Sequence, residues 1–472
     1  MPDKVIPNPK AGEAFIRMYR QGLGDCFLLS FRGNKKPVHM LIDCGVWDND
    51  AATMQQMADV VANIKDATDN HLDVLICSHE HWDHNSGFLQ HQAVFDRMKI
   101  DNVWLAWTEN PRIRLAADLK KEYQEKRRKL AMALNRLRGI DESLAARVEG
   151  LAAAGGVRAE PAKAMKWVHD LGKNGSVRTF CAPGEVLPIP GTKEARAFIL
   201  GPPKSRKQLR KNLATEKETE AGDVYHLRVS NAAADAAFFA AAEHSGKSAD
   251  ELRKMSADER EQYELSLPFD GAHHVRPDDA EAMKAFADYF NGVDNWRRID
   301  GDWLATAAQI ALWMDSSTNN TSLVLAIEML PSKKVLLFPA DAQVGNWKSW
   351  REVEFEAPHD DVDADDLLAR TVLYKVGHHG SHNATLRRDG LEKMTHDELA
   401  AMIPVNRASV EKKKWRMPFK PMYLALERAT QGRIIRADEG VLARPKGFPV
   451  QPHKVFESRC HEDPVYVQYC VS

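Results

Sequence analysis

Ser78-His79-Glu80-His81-Trp82-Asp83-His84 sets three imidazoles and two carboxylates directly after the apolar run Val74-Leu75-Ile76-Cys77. Aliphatic residues that stop abruptly at polar ones predict a buried strand ending in a loop. Ligands at such a tip are held by a rigid element yet stay open to substrate. Neutral imidazole and carboxylate are the usual ligands of zinc, manganese and iron, and one ion seldom takes four such side chains from so short a segment. The stretch therefore predicts a two-ion centre, with His79 and His81 turned one way, Asp83 and His84 emerging toward a second position, and Glu80 turned aside. His71 reads as an ordinary surface histidine.

Working outward, the same architecture recurs. Phe15-Ile16-Arg17-Met18-Tyr19, the turn Gly22-Leu23-Gly24-Asp25 and Cys26-Phe27-Leu28-Leu29-Ser30-Phe31 predict strand, reversal and strand. Val38-His39-Met40-Leu41-Ile42 runs into Asp43-Cys44-Gly45, where Asp43 is either a turn residue or the carboxylate that orients a ligating histidine. Met54, Met57, Val61 and Ile64 recur at helical spacing, and Val103-Trp104-Leu105-Ala106-Trp107 reads as a further strand. Much later, Lys334-Val335-Leu336-Leu337-Phe338 delivers Asp341, and Thr371-Val372-Leu373-Tyr374-Lys375-Val376 delivers Gly377-His378-His379-Gly380-Ser381-His382. Four strands that each end in His or Asp predict convergence on one site.

Between these halves the pattern changes. Leu130, Leu134 and Leu137, then Leu144, Val148 and Leu151, mark amphipathic helices, and 231–244, 250–265 and 279–290 form a second helical block. The 472 residues exceed what one core usually fills, so an elaborated domain or two domains are expected. A formal net charge of −2 excludes a chain-wide basic field for nucleic acid and leaves only local patches. Six scattered cysteines without a CxxC pair read as reduced core residues. No run approaches the roughly 18–20 apolar residues that span a bilayer, so a cytoplasmic enzyme without a membrane partner is expected. The oligomeric state is left open.

Together, HxHxDH at His79, His81, Asp83 and His84, Phe338-Pro339-Ala340-Asp341, and Lys375-Val376-Gly377-His378-His379-Gly380-Ser381 resemble the metallo-β-lactamase-fold hydrolases. The Gly22–Asp25 turn, Leu41-Ile42-Asp43-Cys44-Gly45 and Asn319-Asn320-Thr321-Ser322 are similar to motifs of the branch typified by the hydrolase domain of the competence protein ComEC. The resemblance implies an α/β fold, a metallo-β-lactamase-type αββα sandwich with helical insertions. Residues 12–111 and 313–472 would be its two halves, 176–203 further core strands, 112–175 and 204–312 the insertions, the latter a cap. It implies His79 and His81 on a first ion, Asp83 and His84 on a second, Asp341 bridging, and a last imidazole from His378 or His379. His379 is preferred because the glycine after it frees the backbone, which turns His378 toward substrate. Where many members place a third histidine, this chain has Asn319, Asn320 and Ser322, with Asn320 a weaker ligand or a supporting residue. Two divalent ions are expected, zinc first and manganese as the alternative. His273 and His274 could reach in from the insertion, but a histidine pair in a charged loop reads first as plain surface.

The implied chemistry is hydrolysis by metal-activated water, with Asp83 as proton acceptor and His378, Lys375 and Ser381 as candidates to grip a phosphate or stabilise an oxyanion. Lys375 has the alternative of packing along the sheet, and Ser381 that of capping a helix. The preferred substrate is a phosphodiester, nucleic acid or nucleotide, chiefly on the resemblance. Lys204-Ser205-Arg206-Lys207, Arg210-Lys211 and Lys412-Lys413-Lys414-Trp415-Arg416 add local basic and aromatic character. The competing readings are hydrolysis of a small carboxylic ester, thioester, lactone or lactam, and an iron redox or metal-binding module.

Overall fold

A computed structural model describes residues 5–138, 160–211, 214–224 and 317–472 except 174, 221 and 414, together with 254–257, 281 and 284. The chain divides into two compact units: Met1–Leu119 with Arg158–Ser230 and Ser316–Ser472, and Lys120–Val157 with Asn231–Asp315. The second unit is described over 120–138, within the helix Arg114–Arg138, and at the isolated residues above. The helical patterns expected at 144–151 and 231–244, and His273 and His274, lie outside the described residues, as do those at 250–265 and 279–290 apart from 254–257, 281 and 284.

The first unit is α/β and holds two eight-stranded mixed sheets. The first has the order β15-β16-β1-β2-β3-β4-β5-β6, from β1 (Ala14–Tyr19), β2 (Cys26–Phe31), β3 (Val38–Cys44), β4 (His71–Cys77), β5 (Lys99–Ala106), β6 (Val177–Cys181), β15 (Cys460–Glu462) and β16 (Tyr466–Val471). The second has the order β14-β13-β12-β11-β10-β9-β8-β7, from β7 (Val186–Pro188), β8 (Ala195–Gly201), β9 (Val324–Met329), β10 (Val335–Phe338), β11 (Thr371–Lys375), β12 (Ala400–Ile403), β13 (Ile434–Arg436) and β14 (Gly440–Val441). Strand β16, the C-terminal apolar run, pairs antiparallel with β1, so the two ends of the chain close one sheet.

Side-chain alternation explains the layering. In β2 and β3, Phe27, Leu29, Met40 and Ile42 face a core shared with Leu325, Ile327, Leu336 and Phe338 of the second sheet. Their neighbours Leu28 and Leu41 face the opposite way, onto Val60, Val61 and Ile64 of α1 (Ala51–Ala67). On the far side of the second sheet, Ala326, Leu337 and Tyr374 pack on Trp347, Leu367 and Leu426 from helical segments. Helices thus cover both outer faces. The helix α2 (Trp82–Gln90) is joined by Glu160–Leu171, whose Trp167 stacks on Phe88 with centroids 5.8 Å apart.

Strands β3, β4 and β5 run parallel, as do β10, β11 and β12. Carboxyl ends of parallel strands are where α/β sheets hold ligands, and these ends carry Asp43, the Ser78–His84 loop, Asp341 and His378-His379. Glu328 on β9, 1 % exposed, accepts from Arg196 at 2.6 Å and Arg370 at 2.8 Å. Replacing Glu328 with Ala takes the carboxylate from both guanidinium groups, of which Arg370 keeps Asp366 and both stay partly hydrated. It is expected to lower unfolding free energy by about 2–3 kcal/mol in urea titration, with an unchanged m-value.

Candidate metal centre

Strand β4 ends at Cys77, and the chain bends at His79 and Glu80 before His81, which stands at the start of α2 with φ −109° and ψ 152°. Asp83 and His84 then fall in the first helical turn, while Glu80 remains partly exposed. One short stretch therefore presents two ligand pairs in two backbone conformations. Two glycines admit it: a Cβ on Gly45 would lie 2.3 Å from the Asp83 carbonyl carbon, and one on Gly24 would lie 2.8 Å from the Asp83 oxygen. That same oxygen accepts from the Asp25 amide at 2.9 Å. The glycines of both early turns thus serve close approach to the histidine loop.

The strand tips bring two sets of donors together. Asp83, His84, Asp341 and His379 form one buried group whose ligand atoms lie within 4.8 Å of one another, and His79, His81 and Asp341 form another. Asp341 belongs to both. His84 Nε2 and Asp341 Oδ2 face each other at 3.1 Å, and neither has any other hydrogen-bond partner although both are sealed from water. Buried polar atoms are rarely left so. Orphaned nitrogen and oxygen donors in an all-imidazole and carboxylate set fit divalent ions of the zinc and manganese type.

The other ring nitrogens are tied down. His84 Nδ1 lies 2.7 Å from Asp43 Oδ2, and His379 Nδ1 donates to the Pro404 carbonyl at 2.7 Å. Each bond turns Nε2 toward the centre. His379 Nε2 lies 2.9 Å from Asp83 Oδ2, so His379, not His378, joins the ligand group. Asp43 also accepts from the amide and hydroxyl of Ser78, both at 2.7 Å, so it is held where it fixes the His84 ring. Asp43→Ala is expected to weaken metal affinity about 10- to 100-fold by competition with a chromogenic chelator while the six ligands remain.

Backbone strain concentrates here. Of eight non-glycine residues with positive φ among the described residues, Asp43, Ala340, His378 and His379 sit at these strand tips. Such conformations persist where surrounding structure enforces them, commonly at functional sites.

Charge state differs between the two groups: against the burial that lowers them, the carboxylates raise His84 and His379, whereas His79 and His81 are held down. Burial and the neighbouring His84 and His81 hold His79 well below the ordinary histidine range, and burial pushes His81 down to about 4 against the pull of Asp83 and Asp341. Both rings keep the neutral form that metals bind. Burial opposes charge on Asp83 and Asp341, yet His84 with His379 and His84 with His378 hold these carboxyls below their usual range.

No known family, characterised protein or solved structure matches this chain. The chemistry of the centre rests on its own geometry.

The remaining candidates fall in different places. His378 keeps a partly exposed side chain, with Nε2 3.8 Å from Asp341 Oδ2 and a buried Nδ1 that has no hydrogen-bond partner. Lys375, read either as a phosphate or oxyanion contact or as packing along the sheet, is 1 % exposed and lies behind Asp341, ion-paired with Asp25 and donating to Ala340 at 2.9 Å. Ser381 donates to Asn383 at 3.2 Å within a turn. Asn320 is turned away from the ligands: its Oδ1 accepts from the Gln343 and Asn346 amides, each at 3.2 Å, and its Nδ2 donates to Lys211. Asn319 takes that place instead, with Oδ1 3.1 Å from His79 Nε2. His71, expected at the surface, is largely buried at the opposite end of β4, 2.7 Å from Asp101. Lys211 is spent on Glu218 and Lys413 on Asp48, whereas Arg416 and Lys420 line a cavity of about 400 Å³ with Trp415 and Tyr423. The Phe419 amide in that segment donates to Gly380 at 2.8 Å, joining it to the histidine tip. Among the described residues, no helix is long and apolar enough to cross a membrane.

Proposed function

We propose that this protein is a divalent-metal-dependent hydrolase of the metallo-β-lactamase superfamily, nearest the ComEC-like branch, and that it cleaves phosphodiesters in nucleic acid or nucleotides. The observation that carries this reading is Asp341 standing in both buried donor groups at the meeting of the two sheets' strand tips. Two bound ions, zinc or manganese, would supply Lewis acidity to a phosphoryl oxygen and acidify water near neutral pH. His79, His81, Asp83, His84, Asp341 and His379 would hold them.

The chain's own groups divide the remaining work. Asp83, fixed by His379 at Oδ2, is placed to accept the proton that water gives up. Burial keeps the His378 ring neutral, so it can donate one N–H to an oxygen on which charge develops. Arg416, Lys420, Trp415 and Tyr423, on the segment bonded to Gly380, offer cations and rings suited to a phosphate and a base.

The test is turnover of bis-p-nitrophenyl phosphate and p-nitrophenyl acetate by the metal-loaded protein, with metal content measured in parallel. Hydrolysis of the phosphodiester that is lost to chelation and restored by zinc or manganese is expected. Activity on the carboxylic ester alone overturns the substrate assignment in favour of a small ester, thioester, lactone or lactam. A protein that purifies with iron and changes colour on oxidation overturns the hydrolase reading.

A further inference from the structure

A third buried donor group adjoins the two already described. Asp25, Asp43 and His84 have ligand atoms within 4.8 Å of one another, and all three residues are at most 2 % exposed. His84 Nδ1 and Asp43 satisfy each other at 2.7 Å and Asp43 takes both Ser78 donors, so Asp25 is the carboxylate of the three that needs a cation. A cation from the chain is already there: Lys375 Nζ is paired with Asp25 Oδ2, and His84 Nδ1 stands 3.7 Å from the same oxygen.

The ammonium also reaches the shared ligand. It lies 3.5 Å from Asp341 Oδ1, which accepts from the His378 amide at 3.1 Å, and it donates to Ala340, whose carbonyl also accepts from that amide at 3.3 Å. Asp341 Oδ1 is thereby held inward, and Oδ2 is the oxygen turned to His84 Nε2. Ala340 carries φ +49°, so the peptide that Lys375 bonds is one that needs holding.

We propose that Lys375 is a positioning residue: its ammonium, neutralised by Asp25, holds Asp341 Oδ1 inward and so keeps Oδ2 turned toward the proposed ion positions. This rests on the two-ion reading above. A buried ammonium is stable only beside such partners, and Asp25, the residue that neutralises it, contributes to neither of the two proposed ion positions. Lys375 and Asp25 thus act as a pair through other residues and touch no substrate.

The experiment counts and weighs bound Mn²⁺ by titration, reading free ion by electron paramagnetic resonance, for wild type, Lys375→Met and Lys375→Met/Asp25→Asn. Wild type is expected to bind two ions. In Lys375→Met the count is expected to stay at two and the affinity to fall. The double variant is likewise expected to bind two ions about 10- to 100-fold more weakly than wild type, because Asp341 is no longer held. The double variant buries no unpaired charge, so its affinity decides the matter even if Lys375→Met fails to fold. Wild-type count and affinity in the variants overturn the role of Lys375 and leave the two-ion centre standing. Fewer than two ions in wild type overturns the two-ion reading itself.

Discussion

Asp341→Ala is expected to empty both ion positions and to lower phosphodiester turnover by more than about 100-fold, because loss of a mere orienting partner already costs 10- to 100-fold in affinity or activity. No other residue belongs to both donor groups. The fold should survive. Removing Asp341 leaves Asp25, Asp43 and Asp83 beside His84, His379 and Lys375, so carboxylates and cationic groups remain matched in number. Beneath them, the inter-sheet core of Ile42, Ile76, Leu325 and Phe338 is untouched. The check is metal content and bis-p-nitrophenyl phosphate turnover, with circular dichroism to show the folded state. A variant that keeps two ions at wild-type affinity removes Asp341 from its shared role.

The centre is legible in the sequence because its ligands sit in short motifs, each preceded by an apolar strand, and strand tips leave little freedom in where such residues project. The α/β class and the strand-rich framework follow from the same alternation. Pairings between distant segments do not: nothing local says that β16 adds to β1 or that β8 joins β9 in the second sheet. Asp25 reads as one more turn residue beside two glycines, since a lone carboxylate there carries no sign of the lysine it will meet. Lys375 did leave a signal. It shares strand parity with Leu373, which faces the inter-sheet core, while Tyr374 and Val376 face the other side. A lysine on that inward face needs a buried partner rather than a substrate. Asn319 and Asn320 differ by one residue, and that step decides which side chain meets His79 and which holds the Gln343 and Asn346 amides.

The adjacent histidines give the sharpest contrast of all. His379→Ala takes away a ligand whose Nδ1 is anchored on Pro404 and whose Nε2 meets Asp83, and it is expected to cut bound metal from two ions to one and to abolish turnover. His378→Ala changes none of the ligand contacts of Asp83, His84 and His379. Its amide, which bonds Asp341 Oδ1, is backbone and survives the substitution. That variant is expected to keep both ions and to lose about 100-fold in kcat with little change in KM, the signature of a group that acts only as charge develops on the reacting oxygen. The left-handed conformation of both residues enforces this split: φ of +45° and +52° turns the two rings to different neighbours, one toward Asp341 and the partly open side, the other into the donor group. Metal counts and steady-state kinetics on the two variants separate the roles. If His378→Ala loses an ion and His379→Ala keeps both, the two assignments are reversed.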